Sequence, residues 1–214
     1  MINNLFFDTE FTGLKKDADL ISIGICDENG NIFYAECNNF DHNKIATNLI
    51  GSDHFIENNV FPNLCFNNLY SYYKQIQNNI NSQSLNMTFI KDNKDNISKY
   101  LLKFLDNYDQ IQFISDCCHY DFVLLIDLFE HALNLPEKIN PYCHDINIDI
   151  ANYLNITETE AFNVSRINLA NSFNISNIDI GKQNFLNLYH KQQHNALIDA
   201  YDIAKIYLGI NKNE

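Results

Sequence analysis

Asp8 and Glu10 stand one residue apart at the end of an apolar run, Leu5-Phe6-Phe7-Asp8-Thr9-Glu10-Phe11. Residues two apart on a strand share a face, so both carboxylates are expected on one side of a buried strand's end. Two like charges held that close repel unless a positive charge lies between them. A hard divalent cation, Mg²⁺ or Mn²⁺, supplies that charge and favours carboxylate oxygen. Strand ends also carry solvated acid pairs, so the spacing gains meaning only from partners elsewhere in the chain.

Two further segments offer such partners. The first is His194-Asn195-Ala196-Leu197-Ile198-Asp199-Ala200. In a continuous helix His194 and Asp199 would lie about 140° apart around the axis. His194 is therefore expected at or just before the first turn, swung over the site that Asp199 faces. Asp199 then serves as a cation ligand, and His194, which titrates near neutrality, as a base for water. The second segment is Ser115-Asp116-Cys117-Cys118-His119-Tyr120-Asp121-Phe122. Here Asp121 reads either as a helix N-cap or as a third carboxylate of the site, with Asp116 as its rival.

These side chains need a scaffold. Leu5 to Phe7, Leu20 to Cys26 and Ile32 to Cys37 read as an antiparallel meander, with Glu28-Asn29-Gly30-Asn31 as a turn. Residues 41–94 are Asn-rich; apolar clusters at His54 to Val60 and Leu69 to Ile80 suit short helices, followed by a polar loop. Ile97, Tyr100, Leu101, Phe104, Leu105 and Tyr108 recur with helical period and lead to a strand over Ile111 to Ser115. A second helical stripe runs from Asp121 through Leu133 and stops near Pro136. Thr157-Glu158-Thr159-Glu160 is a capping box for a helix over 158–171. The last helix, Asn195 to Leu208, is expected to stop at Gly209. The order is mixed α/β with no internal repeat.

With 214 residues, the chain has the length of one substantial domain, here taken as 1–214. Its net charge of −13, without a basic block, argues against a broad positive face for nucleic acid. A polyanion could still enter one cleft where cations and a few lysines overcome that field. No apolar run approaches a membrane span and the chain opens directly on a strand, so a cytosolic protein is expected. Cys26, Cys37, Cys65, Cys117, Cys118 and Cys143 lack disulfide or zinc spacing and read as free thiols.

Together, Phe7-Asp8-Thr9-Glu10-Phe11-Thr12-Gly13-Leu14, Tyr120-Asp121-Phe122 and His194-Asn195-Ala196-Leu197-Ile198-Asp199-Ala200 resemble the three motifs of the DEDDh 3′-to-5′ exonuclease family. The stretch from Ser115 to Leu125 is most similar to a branch of small bacterial and phage exoribonucleases. The resemblance spans nearly the whole chain and implies a ribonuclease H-like mixed β-sheet flanked by α-helices. It implies that Asp8, Glu10, Asp121 and Asp199 bind two Mg²⁺ or Mn²⁺ ions and that His194 is the general base. The implied substrate is the 3′ end of single-stranded nucleic acid, RNA somewhat before DNA, released as nucleoside 5′-monophosphates.

The resemblance also implies that the Thr12-Gly13-Leu14 turn touches the terminal nucleotide and that Leu14 wedges its base, with core packing the alternative for Phe11 and Leu14. Asp202 reads as a neighbour of the site or as a solvated acid. Lys15, Lys16, Lys182 and Lys191 read as phosphate contacts or as surface lysines. A DNA-trimming enzyme and a catalytically silent adaptor remain as rivals. Leu69 to Ile80 carries aromatics that read as a homodimer surface or as core.

Overall fold

The computed structural model describes residues 2–45, 48–49, 52–66, 87–189 and 193–211. Three strands open the chain: β1 (Ile2–Phe11), β2 (Leu20–Asp27) and β3 (Ile32–Cys37). Among the described residues, two short strands, β4 (Asn48–Leu49) and β5 (Ser52–Asp53), form a separate antiparallel pair. Then come β6 (Met87–Asp92), helix α1 (Lys94–Leu105), β7 (Gln110–Ser115), α2 (Cys118–Asp127) and β8 (His144–Asp145). Five helices complete the chain: α3 (Ile146–Leu154), α4 (Glu158–Phe162), α5 (Arg166–Ser172), α6 (Ser176–Tyr189) and α7 (Ala196–Asn211).

Six strands form one mixed sheet in the order β6-β3-β2-β1-β7-β8. The expected meander is present: β2 is antiparallel to both β1 and β3, whereas β6, β7 and β8 join in parallel. Alternation along β1 sorts its side chains onto two cores. Leu5 and Phe7 pack with residues of α1 and α2, and Phe6 packs with Leu197, Tyr201 and other residues of α7. Asp8 and Glu10 have the parity of Phe6, so β1 delivers both carboxylates to the face that α7 covers. Pairing of β1 with β7 ends at Phe6 and Ile114. The two acids therefore lie beyond the carboxyl end of the β7 ladder, where open α/β sheets leave a crevice.

Helix α7 sits close on the sheet because β2 carries Gly24. A Cβ there would fall 2.3 Å from the Leu197 nitrogen and 2.4 Å from the Ala196 carbonyl carbon. Backbone cannot yield as a flexible side chain would, so Gly24→Ala is expected to cost about 3 kcal/mol or more. Urea unfolding would measure it, and α7 would be the element displaced.

Several elements differ from the sequence expectation. Residues 87–92, expected in a loop, form the edge strand β6, burying Phe89 beside Tyr34. The helix expected to run from Asp121 towards Pro136 ends at Asp127, and Leu133 is exposed. The expected helix over 158–171 breaks in two. Its capping box is present between Thr157 and Glu160, but Arg166 takes the carbonyls of Ala161 and Val164 at 3.0 and 2.7 Å while Ser165 caps a new helix. Gly209 does not stop α7, which continues to Asn211; Gly209 instead makes room for the ring of Phe173. At His54 to Val60, a π-helical turn over Ile56–Val60 lays Ile56 and Val60 on Ile21. Leu69 to Ile80 lies outside the described residues. Among the described residues no helix is long and apolar enough to cross a membrane.

Candidate metal centre

Five side chains from four parts of the chain meet at the end of β1. Strand β1 supplies Asp8 and Glu10, α2 supplies Asp121, α7 supplies Asp199, and the turn before α7 supplies His194. One ligand atom each from Glu10, His194 and Asp199 lies within 4.8 Å of the others. Asp8, His194 and Asp199 line one cavity of about 150 Å³. The carboxylates of Asp8 and Glu10 make no hydrogen bond or ion pair with any described residue. A half-buried Asp8 carboxylate and a buried Glu10 carboxylate thus face other carboxylates, with no cation of the described residues paired to either.

The electrostatics follow from that arrangement. Burial, and then the charges of Asp121, Asp199, Glu10 and Asp116, hold the Asp8 carboxyl far above the usual carboxylate range. Burial and then Asp199 and Asp121 do the same to Glu10. Asp121 is pushed up to about 7 by burial, although hydrogen bonds from Thr9 and Ser115 oppose the shift. Asp199 is also pushed up to about 7, by burial and then by Asp202, against a backbone hydrogen bond from His194. The four carboxylates suit Mg²⁺ or Mn²⁺ as oxygen donors, and a divalent charge would reverse these shifts.

Each acid is held in place by local structure. Asp121 is not the N-cap: Cys117 precedes α2 in the left-handed region at φ 53°, and Asp121 stands fourth in the helix. Its Oδ1 accepts from the Thr9 amide at 3.0 Å and the Thr9 hydroxyl at 2.5 Å, and its Oδ2 accepts from the Ser115 hydroxyl at 2.9 Å. Thr9 has the parity opposite to Asp8 and Glu10, so it faces α2 and ties Asp121 to β1.

His194 is fixed by the turn that leads into α7. It adopts φ 65°, and its amide donates to Asp199 Oδ2 at 3.0 Å. Asn195 caps α7, its Oδ1 accepting from the amides of Leu197 and Ile198, while its Nδ2 donates to the Asn63 carbonyl at 2.8 Å. Asn63 Nδ2 donates in turn to the Gln193 carbonyl. The Phe55 ring meets the imidazole edge-on, centroids 5.0 Å apart. Burial lowers the His194 pKa below the ordinary histidine value, so the ring is neutral at pH 7.

The rivalry between Asp116 and Asp121 resolves by partner. Both Asp116 oxygens accept from Arg166, Nε at 2.7 Å and Nη2 at 2.9 Å, and Asn147 Nδ2 adds a third bond at 2.8 Å. Asp116 is thus committed to anchoring the start of α5 beside the site. Asp116→Asn is expected to cost about 2 kcal/mol of stability while leaving divalent-ion affinity within a few fold; calorimetric titration and thermal unfolding read the two effects separately. Nothing in the spacing of Arg166 or Asn147 announced this pairing.

Beside the acids a cleft of about 720 Å³ is walled by Phe11, Gly13, Leu14, His119, Tyr120 and Val123, with Lys15, Lys16, Lys44 and Lys94 around it. Leu14 is 58 % exposed, which removes core packing as its role. Phe11 is half-buried, its ring 6.5 Å from that of Tyr120. Thr12 is buried away from the cleft, where its hydroxyl accepts from the Asp19 amide and closes the loop that follows β1. Lys44 and Lys94 pair with Asp19 and Asp127, which leaves Lys15 and Lys16 as the unpaired cations on this rim among the described residues. Asp202 is buried and paired with Lys182, so neither is a solvated surface group. Lys191 lies outside the described residues. Compared with known proteins, the chain matches no family model and no curated protein.

Proposed function

We propose that the protein is a metal-dependent 3′-to-5′ exonuclease of the DEDDh type on a ribonuclease H-like fold, acting on single-stranded nucleic acid and preferring RNA. The observation that carries this reading is the meeting of buried Glu10 and Asp121 with half-buried Asp8 and Asp199, His194 beside them and no cation among the described residues paired to Asp8 or Glu10. The order of the motifs along the chain and the antiparallel β2 between β1 and β3 agree with it.

Asp8, Glu10, Asp121 and Asp199 would hold two Mg²⁺ or Mn²⁺ ions. Bound there, such ions polarise a phosphate and make water more acidic. His194, neutral at pH 7, accepts the proton of the attacking water, and the edge of Phe55 together with the Asn195 cap limits how far its ring turns. Leu14 and Tyr120 offer apolar surface to the terminal base. Lys15 and Lys16 meet phosphate oxygens against the acidic field of the rest of the molecule.

The test is cleavage of end-labelled single-stranded RNA and the same sequence in DNA, with Mn²⁺ or with EDTA. Stepwise, metal-dependent shortening from the 3′ end is the expected result, faster on RNA. Faster shortening of DNA would make the protein a DNA-trimming exonuclease, and no shortening of either polymer would favour a silent adaptor.

A further inference from the structure

Two of the six cysteines meet at a point the metal centre does not use. Cys118 is the first residue of α2, and Cys143 directly precedes β8. Because β8 runs parallel to β7 with His144 opposite Ile114, Cys143 comes alongside Phe113, and its thiol donates to the Phe113 carbonyl at 3.5 Å. After β7 the chain turns through Asp116 and the left-handed Cys117 and returns Cys118 to the same spot. The Cys118 thiol donates to the Cys143 carbonyl at 3.7 Å, which sets the two residues side by side. Both residues are half-buried, whereas Cys26, Cys37 and Cys65 are buried.

The two sulfurs are unequal. The neighbouring Cys143 side chain holds the Cys118 thiol below the usual thiol range, whereas the Cys118 side chain and then burial push the Cys143 thiol up. Cys118 also begins a ten-residue helix, where the peptide dipoles favour a thiolate. Cys117 is the wrong partner. Burial and then the Asp116 and Asp145 charges push its thiol up to about 12, and its sulfur contacts Asn147.

We propose that Cys118 and Cys143 are a peroxide-sensitive dithiol in which Cys118 is oxidised first and Cys143 closes an intramolecular disulfide. The Cys118 thiolate attacks one oxygen of hydrogen peroxide, breaking the O–O bond to give the sulfenic acid and hydroxide. The Cys143 sulfur then attacks the Cys118 sulfur, forming the S–S bond and releasing water. Two thiols lose two electrons and two protons, and one peroxide becomes two waters. The bridge pins the first turn of α2, three residues before Asp121, to the start of β8.

The experiment treats the reduced full chain with one equivalent of hydrogen peroxide, blocks remaining thiols with N-ethylmaleimide, and maps non-reduced peptides by mass spectrometry. The expected product is a Cys118–Cys143 linked pair lighter by two hydrogens and reversed by dithiothreitol. Cys26, Cys37 and Cys65 stay alkylatable after unfolding. In Cys143→Ser, Cys118 is expected to stop at the sulfenic acid and be trapped by dimedone; in Cys118→Ser, Cys143 stays reduced. A bridge to Cys117, oxidation of Cys143 in Cys118→Ser, or two free thiols after excess peroxide would overturn the proposal. The wild-type map decides the matter even where a variant fails to fold.

Discussion

Asp8→Asn is expected to lose cleavage on the order of 10³-fold, since several kcal/mol of charge stabilisation at the scissile phosphate go with the ligand. The same substitution is expected to make the metal-free protein harder to unfold. Asp8 is half-buried, desolvated beside Asp121, Asp199 and Glu10, and its carboxylate has no hydrogen bond to a described residue, so an amide of equal size removes repulsion and desolvation cost together. A purely structural acid would behave in the opposite way, losing stability when neutralised. Turnover of labelled RNA in Mn²⁺ and urea unfolding in EDTA measure the two halves. A less stable Asp8→Asn protein that still cleaves would remove Asp8 from the metal centre. His194→Ala should lose about 10²–10⁴-fold in rate and keep most of its Mn²⁺ affinity, which separates a base from an essential ligand.

The second large effect is on stability as a function of pH. Asp121 and Asp199 have pKa values of about 7 in the folded protein, against about 3.9 in an unfolded chain. Between those values the native state holds protons that the unfolded state has released. Stability from these groups is therefore complete below about pH 4 and is lost as pH rises through about 7. One such group corresponds to about 4 kcal/mol, or on the order of 10 °C in Tm for a chain of this size. In EDTA, Tm is expected to fall between about pH 5 and pH 8 by that order. Saturating Mn²⁺ should restore most of it at pH 8 and little at pH 5, because only the ionised acids bind the cation. A Tm in EDTA that climbs steadily over the same range would mean that these acids are ionised and paired in the native state. Asp199→Asn should flatten the slope.

The sequence made the chemistry of the site legible because its information is local. Asp8 and Glu10 share a face by strand parity, and His194 had to precede the helix that carries Asp199 because five helical residues turn too far; both placements are as expected. The opening meander, the α1 helix and the Thr157 capping box were readable for the same reason. Asp121 was harder. Its position near a helix start suited a cap, and the Thr9 amide and hydroxyl with the Ser115 hydroxyl, which arrive from two different strands, set its carboxylate on the site.

Where the structure departs from the local pattern, a distant partner decides the outcome. The break between α4 and α5 depends on Arg166 reaching both carbonyls of the preceding turn and Asp116, fifty residues away. Gly209 reads as a helix stop until Phe173 packs on it, and Gly24 reads as an ordinary strand glycine until the α7 backbone lies against it. The polar edge strand β6 shows no full alternation because only Phe89 is buried. What the sequence by itself determined is which groups could bind a cation and on which face each local element offers them. That all four acids and His194 converge, that Asp116 is taken by Arg166, and that Cys118 meets Cys143 were decided by tertiary structure, because each depends on how the sheet and α7 stack, a register that no local spacing encodes.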